Sequence, residues 1–427
     1  MPPMTSHTHS FDRRRLLCCG ALAAAGLFTS LGTKAQATAG ISSTPWINPC
    51  LTPLPERLAR HEIVAAAFEG LDAAALWDVH AHLLGTGDSG SGCSIHASMN
   101  QWWKPLPYVR RRAILNAACV ANDAPSIDRA YVERLLGHTA DFPAGARWLL
   151  FAFEQAHTDQ GAPDADASTV HVPDRYAAKV AAEHARRFAW VASIHPYAAD
   201  ALPRLDEATA QGALAIKWLP SAMNIDLRDA RCRPFYDRLA ASRLPLIVHC
   251  GEEKAVPGAG RDELGNPLHA RVPLEAGVRV LMAHCASLGH ARDIDKPSAP
   301  RVAAFDLFAR LMDERAFESL LLGDISAAFQ VNRSIALQRQ IVERGDWHPR
   351  LLHGSDHPLP GLMPLYRTRR LADAGLLDAG AATVLDEIRA YNPLLFDFVL
   401  KRQLRSGNRR LGAAVFETRR HFRAATA

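Results

Sequence analysis

The sequence predicts a (β/α)8 barrel of the TIM type, with elaborated loops on its C-terminal face and extra helices at the chain ends. Three observations lead there. Short runs rich in apolar and β-branched residues recur eight times, alternating with stretches of helical period, and eight parallel βα units is the number that closes a barrel. Long Gly-, Pro- and Asp-rich loops follow runs one, two, five and six, whereas links from helix into strand, such as ASRLP and EAGVR, are short. The polar residues that interrupt these apolar runs sit at their C-terminal ends.

Residues 1–37 come first and carry Arg13, Arg14, Arg15 and Lys34 against Asp12. An apolar stretch from Leu16 to about Gly32 and the small-residue site Ala35-Gln36-Ala37 follow. Arg13-Arg14 shortly before Leu16-Leu17 is the pattern of a twin-arginine export signal, which implies a periplasmic or secreted protein. No later segment is apolar for long enough to span a bilayer, so no stable span is expected once the signal is removed. Most of the net charge of +5 lies in this signal, and the nearly neutral remainder has no footprint for nucleic acid. Cys18 and Cys19 leave with it; Cys50, Cys93, Cys119, Cys232, Cys250 and Cys285 are widely spaced without a CxxC pair. Most are expected to be buried small hydrophobes, and neither a disulfide scaffold nor a zinc cluster is expected.

Residues 38–75 read as an N-terminal extension with one helix, about Pro55 to Leu71. The barrel is expected over 76–400. Its strands lie in LWDVHAH (76–82), RWLLFAFEQA (147–156), FAWVASIHPY (188–197), GALAIKWLP (212–220), LPLIVHCG (244–251), VRVLMAHCA (278–286), SLLLGDISA (319–327) and RLLHGSDHP (350–358). Intervening stretches such as DRYAAKVAAEHARRFA and PFYDRLAASR have helical period. Residues 401–427 read as a helical tail.

The chemistry is concentrated at the strand ends. Side chains on a strand alternate, so His80 and His82 point the same way at the end of the first run. Lys217 ends the fourth run, His249 the fifth and His284 the sixth, and Asp356 ends the eighth. In a closed barrel these side chains converge on one mouth, and neutral imidazoles with a carboxylate suit zinc and similar divalent ions. His80, His82, His249 and Asp356 are the metal candidates, with His284 and Lys217 as two more. His195 and His353 are read as core residues. The Gly- and Ser-rich loop after His82 is expected to be flexible and to leave the rim without covering it. His96 and Trp102, in or just after that loop, are candidate substrate contacts, as is Lys217. Asp324 and His357 are read as hydrogen-bond partners behind the ligands, and Glu252 and Glu253 either as the same or as solvated side chains.

The motifs DVHAH, IKWLP, LIVHCGE, VLMAHCASLG, GDIS and LHGSDHPLP, in this order, resemble the amidohydrolase superfamily. The likeness is to its amidohydrolase-related branch, which also holds decarboxylases related to aminocarboxymuconate-semialdehyde decarboxylase. It covers about residues 76–400. The resemblance implies that His80, His82, His249 and Asp356 are metal positions, and that His284 either binds a second metal or acts beside the first. It also implies that Lys217 is either a carbamylated bridge between two metals or a cation near the substrate; one ion is the expectation. The function expected is an exported hydrolase that uses a metal-activated water on an amide, ester or lactone of a small molecule, with Asp356 and His284 catalytic. The alternative is a metal-dependent nonoxidative decarboxylase or lyase of a small carboxylic acid. A noncatalytic barrel is disfavoured because no ligand position is missing. Homo-oligomerisation is left open.

Overall fold

The computed structural model describes residues 47–422, so the predicted export signal lies outside the described residues. All eight apolar runs form strands: β1 (Trp77–His82), β2 (Arg147–Phe151), β3 (Phe188–Val191), β4 (Ile216–Trp218), β5 (Leu246–His249), β6 (Val280–Ala283), β7 (Leu321–Asp324) and β8 (Leu351–Leu352). β1, β2 and β3 pair in parallel, and so do β4 through β8 in sequence order. Two seams join these groups. Between β3 and β4, Ala192 N donates to Ala215 O (3.0 Å) and Lys217 N to Ala192 O (2.8 Å). Between β8 and β1, Val79 N donates to His353 O (3.1 Å), Asp356 N to His80 O (2.7 Å) and His82 N to His357 O (3.0 Å). The eight strands therefore close into a barrel with no free edge.

Trp77, Val79, Leu149, Phe151, Val191, Ile247, Leu281, Leu322 and Leu352 fill the barrel as one apolar cluster. The helices outside bury the face that their period dictates. The helix Ala304–Asp313 places Phe305, Phe308, Leu311 and Met312 against the sheet and Trp347, at spacings of three and four residues. The helix Pro393–Gln403 starts on an Asn392 cap, with Asn392 Oδ1 accepting from Leu395 N (3.0 Å) and proline at its first position. Among the described residues no helix is long and apolar enough to cross a membrane.

Two expectations are corrected and a third is sharpened. The single N-terminal helix is two short ones, Glu56–Ala59 and Glu62–Phe68, because His61 is extended and its ring caps the second. Among the described residues the tail holds no α-helix beyond Gln403, only the short 3-10 turns Ala413–Val415 and Thr418–His421: Gly407, at φ +59°, and Asn408 first turn the chain into a small hairpin that pairs Arg405–Ser406 with Arg409–Arg410. It then crosses the amino-terminal end of the barrel, where Thr418 Oγ1 donates to Trp77 O (2.6 Å) and Phe422 joins the interior cluster. The cysteines are not all buried thiols. Cys93, Cys232, Cys250 and Cys285 are, but Cys50 and Cys119 form a disulfide. Nothing in the spacing marks that pair, which meets because the N-terminal segment packs along the end of the helix Pro105–Ala117. Asn48 N there donates to Asn116 Oδ1 and Asn116 Nδ2 to Asn48 O, both at 2.9 Å.

The bridge spans 69 residues and on chain-entropy grounds contributes about 4 kcal/mol. Reduction, or the Cys50→Ser/Cys119→Ser pair, is expected to lower the thermal midpoint by several degrees. A midpoint indifferent to reductant would refute the bridge's contribution.

Candidate metal centre

The site begins with an irregularity in β1. Trp77 and Asp78 pair with Arg147 and Trp148, but Ala81 and His82 pair with Leu150 and Phe151, so β1 holds one residue more than its neighbour. This bulge lets Trp77 and Val79 face the barrel interior and then brings His80 and His82 to that same interior. Elsewhere simple alternation suffices. Ala215, Ile247 and Leu322 point inward, and two residues further on so do Lys217, His249 and Asp324.

Asp356 follows β8 in the turn His353-Gly354-Ser355-Asp356. A Cβ on Gly354 would lie 2.6 Å from His80 Cβ, so only glycine lets this turn approach β1. The buried Asp78 fastens the two together, its Oδ1 accepting from His80 N (3.0 Å) and Ser355 N (2.9 Å). Burial pushes the Asp78 carboxyl up to about 7. Asp356 sits at φ +59°, and His284, Cys285 and Ala286 lie at +56°, +51° and +48°. Such left-handed, non-glycine backbone is held only where its surroundings impose it, and it gathers at functional sites.

His80, His284 and Asp356 each offer a ligand atom within 4.8 Å of the others. His82 Nε2 is 3.1 Å and His80 Nε2 3.5 Å from Asp356 Oδ1, while His284 Nε2 is 4.0 Å from Oδ2. The other ring nitrogens are held from behind. His80 Nδ1 faces Asp324 Oδ2 at 3.0 Å, and His284 Nδ1 faces Ser326 O at 3.1 Å and its Oγ at 2.8 Å. A carboxylate and a carbonyl can only accept, so both Nδ1 atoms carry the proton and both Nε2 atoms turn a lone pair toward Asp356. His249 lies beside them, 5.1 Å from His284 between ring centroids, with its Nε2 3.4 Å from Glu253 Oε2 but off the angle for a hydrogen bond.

Burial holds His80 and His284 well below the ordinary imidazole range and lowers His249, so these rings are neutral. Burial also lowers Lys217 to about 8 against the pull of Asp324 and Asp356. Its Nζ has no hydrogen-bond partner and lies 5.1 Å from the Phe151 ring centre. Two unsatisfied nitrogens, on His249 and Lys217, therefore border a group of neutral imidazoles and a carboxylate, and these donors fit a divalent ion.

Above this group opens a cavity of about 300 Å³. His80, His82, Lys217, His249, His284 and Asp356, all named from the sequence, line its floor, and Glu252 and Glu253 line it too. His195 and His353 lie outside it in the core; His195 stacks on His157 and reaches Met223 O (2.8 Å). His96 and Trp102 are not on the wall, which corrects their assignment. The His96 ring caps its own turn through Ser98 N (3.2 Å), and Trp102 is 73% exposed. Ile95 and Met99 face the cavity in their place. The first loop is likewise neither loose nor clear of the mouth. The fully buried Asp128, on the helix Ile127–Thr139, accepts from Thr86 N (2.6 Å), Gly87 N (3.2 Å), Ser89 Oγ (2.8 Å) and Ser91 Oγ (2.7 Å). Asp88 answers by capping that helix at Ile127 N (2.6 Å). Leu84, Gly85 and Thr86 become part of the wall. Sequence reasoning missed Arg111 and Arg333, also on this wall, because neither belongs to a motif.

No protein-family model matches the chain, and no curated protein is significantly similar to it. Among solved structures, an uncharacterized TIM-barrel protein from Bordetella bronchiseptica is 18% identical at a TM-score of 0.44, over 70% of this chain and 99% of that one. The 4-oxalomesaconate hydratase of Rhodopseudomonas palustris is 12% identical at 0.39, over 76% and 93%. The 2,6-dihydroxybenzoate decarboxylase of Rhizobium is 14% identical at 0.38, over 75% and 98%. At these scores the likenesses add nothing to what the strand order and side-chain geometry establish.

Two substitutions separate the supports of this site. Asp324→Asn is expected to weaken divalent-metal affinity roughly 10- to 100-fold, read by competition with a chelating indicator, while unfolding stays cooperative; unchanged affinity would remove Asp324 from the site. Asp128→Ala leaves several backbone and hydroxyl donors without an acceptor and is expected to cost about 2–4 kcal/mol. The same change should open residues 83–104 to protease, and an undiminished denaturation midpoint would contradict it.

Proposed function

We propose that this chain is an exported, metal-dependent hydrolase of the amidohydrolase type that cleaves an amide, ester or lactone bond in a small molecule. The observation that carries the reading is the buried cluster in which the Nε2 atoms of His80, His82 and His284 meet the Asp356 carboxylate below an apolar cavity. The order of strand-end motifs along the chain supports the same superfamily.

A divalent ion, zinc in this reading, would be held by His80, His82, His249 and Asp356; when bound it lowers the pKa of a water toward about 7 and polarises a carbonyl. The chain's own residues do the rest. Asp356 Oδ1 faces His80 and His82, which leaves Oδ2 on the side of His284 to take a proton from water and return it to the leaving group. His284 has its Nδ1 proton committed to Ser326, so its Nε2 is a ligand or a proton acceptor and not a donor to an oxyanion. Phe151, 4.6 Å from His80 and 5.5 Å from His82 between ring centroids, helps to keep bulk water from these groups. Lys217 Nζ, which has no hydrogen-bond partner, would carry a carbamate ligand if two ions were held and would stand as a cation if one were, and we favour one ion.

Export to the periplasm or beyond is supported by the arginine-led N-terminal segment and by the Cys50–Cys119 bridge, since disulfides persist in oxidising compartments.

Elemental analysis of the purified mature protein tests the centre. One equivalent of metal is expected, abolished in His80→Ala/His82→Ala and retained in Lys217→Ala; loss in Lys217→Ala from a starting value of two would mean a bridged pair. Full metal content in the double histidine variant would sink the assignment. With a substrate in hand, label from ¹⁸O-water should enter the product, whereas release of CO2 without label would make the enzyme a decarboxylase.

A further inference from the structure

The cavity wall carries two arginines that the hydrolytic chemistry does not use, whereas its Lys254 is paired with Glu252 at 2.9 Å. Arg333 is 6% exposed, yet among the described residues no carboxylate oxygen lies within 4.0 Å of it. Its Nε donates to Ser287 Oγ (3.2 Å), and its Nη1 to Gln330 Oε1 (2.9 Å) and Asn332 Oδ1 (2.6 Å). Its backbone carbonyl accepts from Arg370 (2.7 Å), which fixes the stem. Three neutral oxygens thus orient the guanidinium, and Nη2 takes part in none of these bonds. Ser287 N bonds in turn to His284 O (3.0 Å), so the fork stands over the turn that follows a residue of the metal centre. Arg111, on the helix Pro105–Ala117, lines the cavity as well. Its Nε is buried without a hydrogen-bond partner, and it too has no ion-pair partner among the described residues.

A buried, oriented, unneutralised guanidinium is costly unless an anion completes it. Ile95, Met99, Ile114, Phe153, Leu219 and Val256 make much of the wall apolar, and its polar part includes Glu252, Glu253 and Lys254. Asp356 and Glu253 are near enough to bear on the charge of Arg333, which disfavours a dianion there. We infer that the substrates of this enzyme are carboxylic acids, monoanions with an apolar body, and that Arg333 grips the carboxylate while Arg111 supplies a second guanidinium free of an ion pair. This rests on the hydrolase reading, and it says which end of the substrate is held away from the bond that breaks. An arginine suits the task because its planar fork matches a carboxylate edge.

The test is calorimetric binding of benzoate, phenylacetate, 3-phenylpropionate and hexanoate, with phenylacetamide and phenyl phosphate as controls. Titrations are run on the metal-loaded protein and on the same protein after chelation. At least one acid should bind in both states, more tightly than the amide and the phosphate, and Arg333→Gln should weaken it roughly 10- to 100-fold at unchanged metal content. Arg333→Lys, which keeps the charge and loses the fork, should fall between, and Arg111→Gln should weaken the acid less. If Arg333→Gln does not fold, the acid–amide comparison in the wild type and the Arg333→Lys titration still decide. Failure of every acid to bind, equal binding of acid and amide, or tighter binding of the phosphate overturns the inference. So does acid binding lost on chelation but untouched at Arg333, which would put the carboxylate on the metal and leave the metal reading standing. A protein that holds no metal but still needs Arg333 to bind acids would sink the hydrolase and keep the carboxylate site.

Discussion

Everything at the mouth of this barrel hangs on the carboxylate of Asp324. It is fully buried and bonds to three separate stretches of chain: His80 Nδ1 on β1, His284 N at the end of β6, and Ser326 N and Oγ just past its own strand. One oxygen sets the tautomer of His80; the other pins the left-handed backbone at His284 and the serine that orients that ring. Its negative charge, with that of Asp356, is also what keeps a fully buried Lys217 from being lowered further. The donor cluster and its rear supports therefore form one coupled network, in which a change at one member bears on the others.

What was legible in the sequence follows from physical periodicity. Strands of a closed parallel barrel are covered on both faces, so they appear as apolar runs, and a charged residue ending such a run stands out. That is why all eight strands and the residues from His80 to Asp356 could be named in advance. Boundaries were less clear: residues 147–156 read as one strand, but the regular ladder ends at Phe151. A pattern of period two places His80 and His82 together, yet it would have turned Val79 outward, because an extra residue in β1 leaves no trace in composition. Cys50 with Cys119, Asp128 with the first loop, and Arg333 with Ser287 are contacts between distant segments, which depend on how loops fold back and carry no local signal. His96 and Trp102 were attractive for their chemistry and their loop; the fold of that loop, knotted on Asp128, turned Ile95 and Met99 inward instead.

The two halves of the pocket are built on different terms. The floor is carried by strand ends of the closed barrel, and its His80 and His284 rings are locked by buried hydrogen bonds. The wall is carried by loops, but loops tied down at defined points: the first by Asp128, the segment after β7 by the contacts of Arg333. Such a pocket is shaped before a ligand arrives, so binding need not order a long loop.

The seam between β8 and β1 has a bearing on the life of the chain before it is complete. His82 and Asp356 are 274 residues apart, so the imidazole pair is synthesised long before the carboxylate that completes the centre. A contact of such sequence separation forms late, because the whole loop between must be closed first. Until then two histidines on an unpaired strand are weak competitors for any ion. An ion held by both groups is therefore captured only once the barrel has closed.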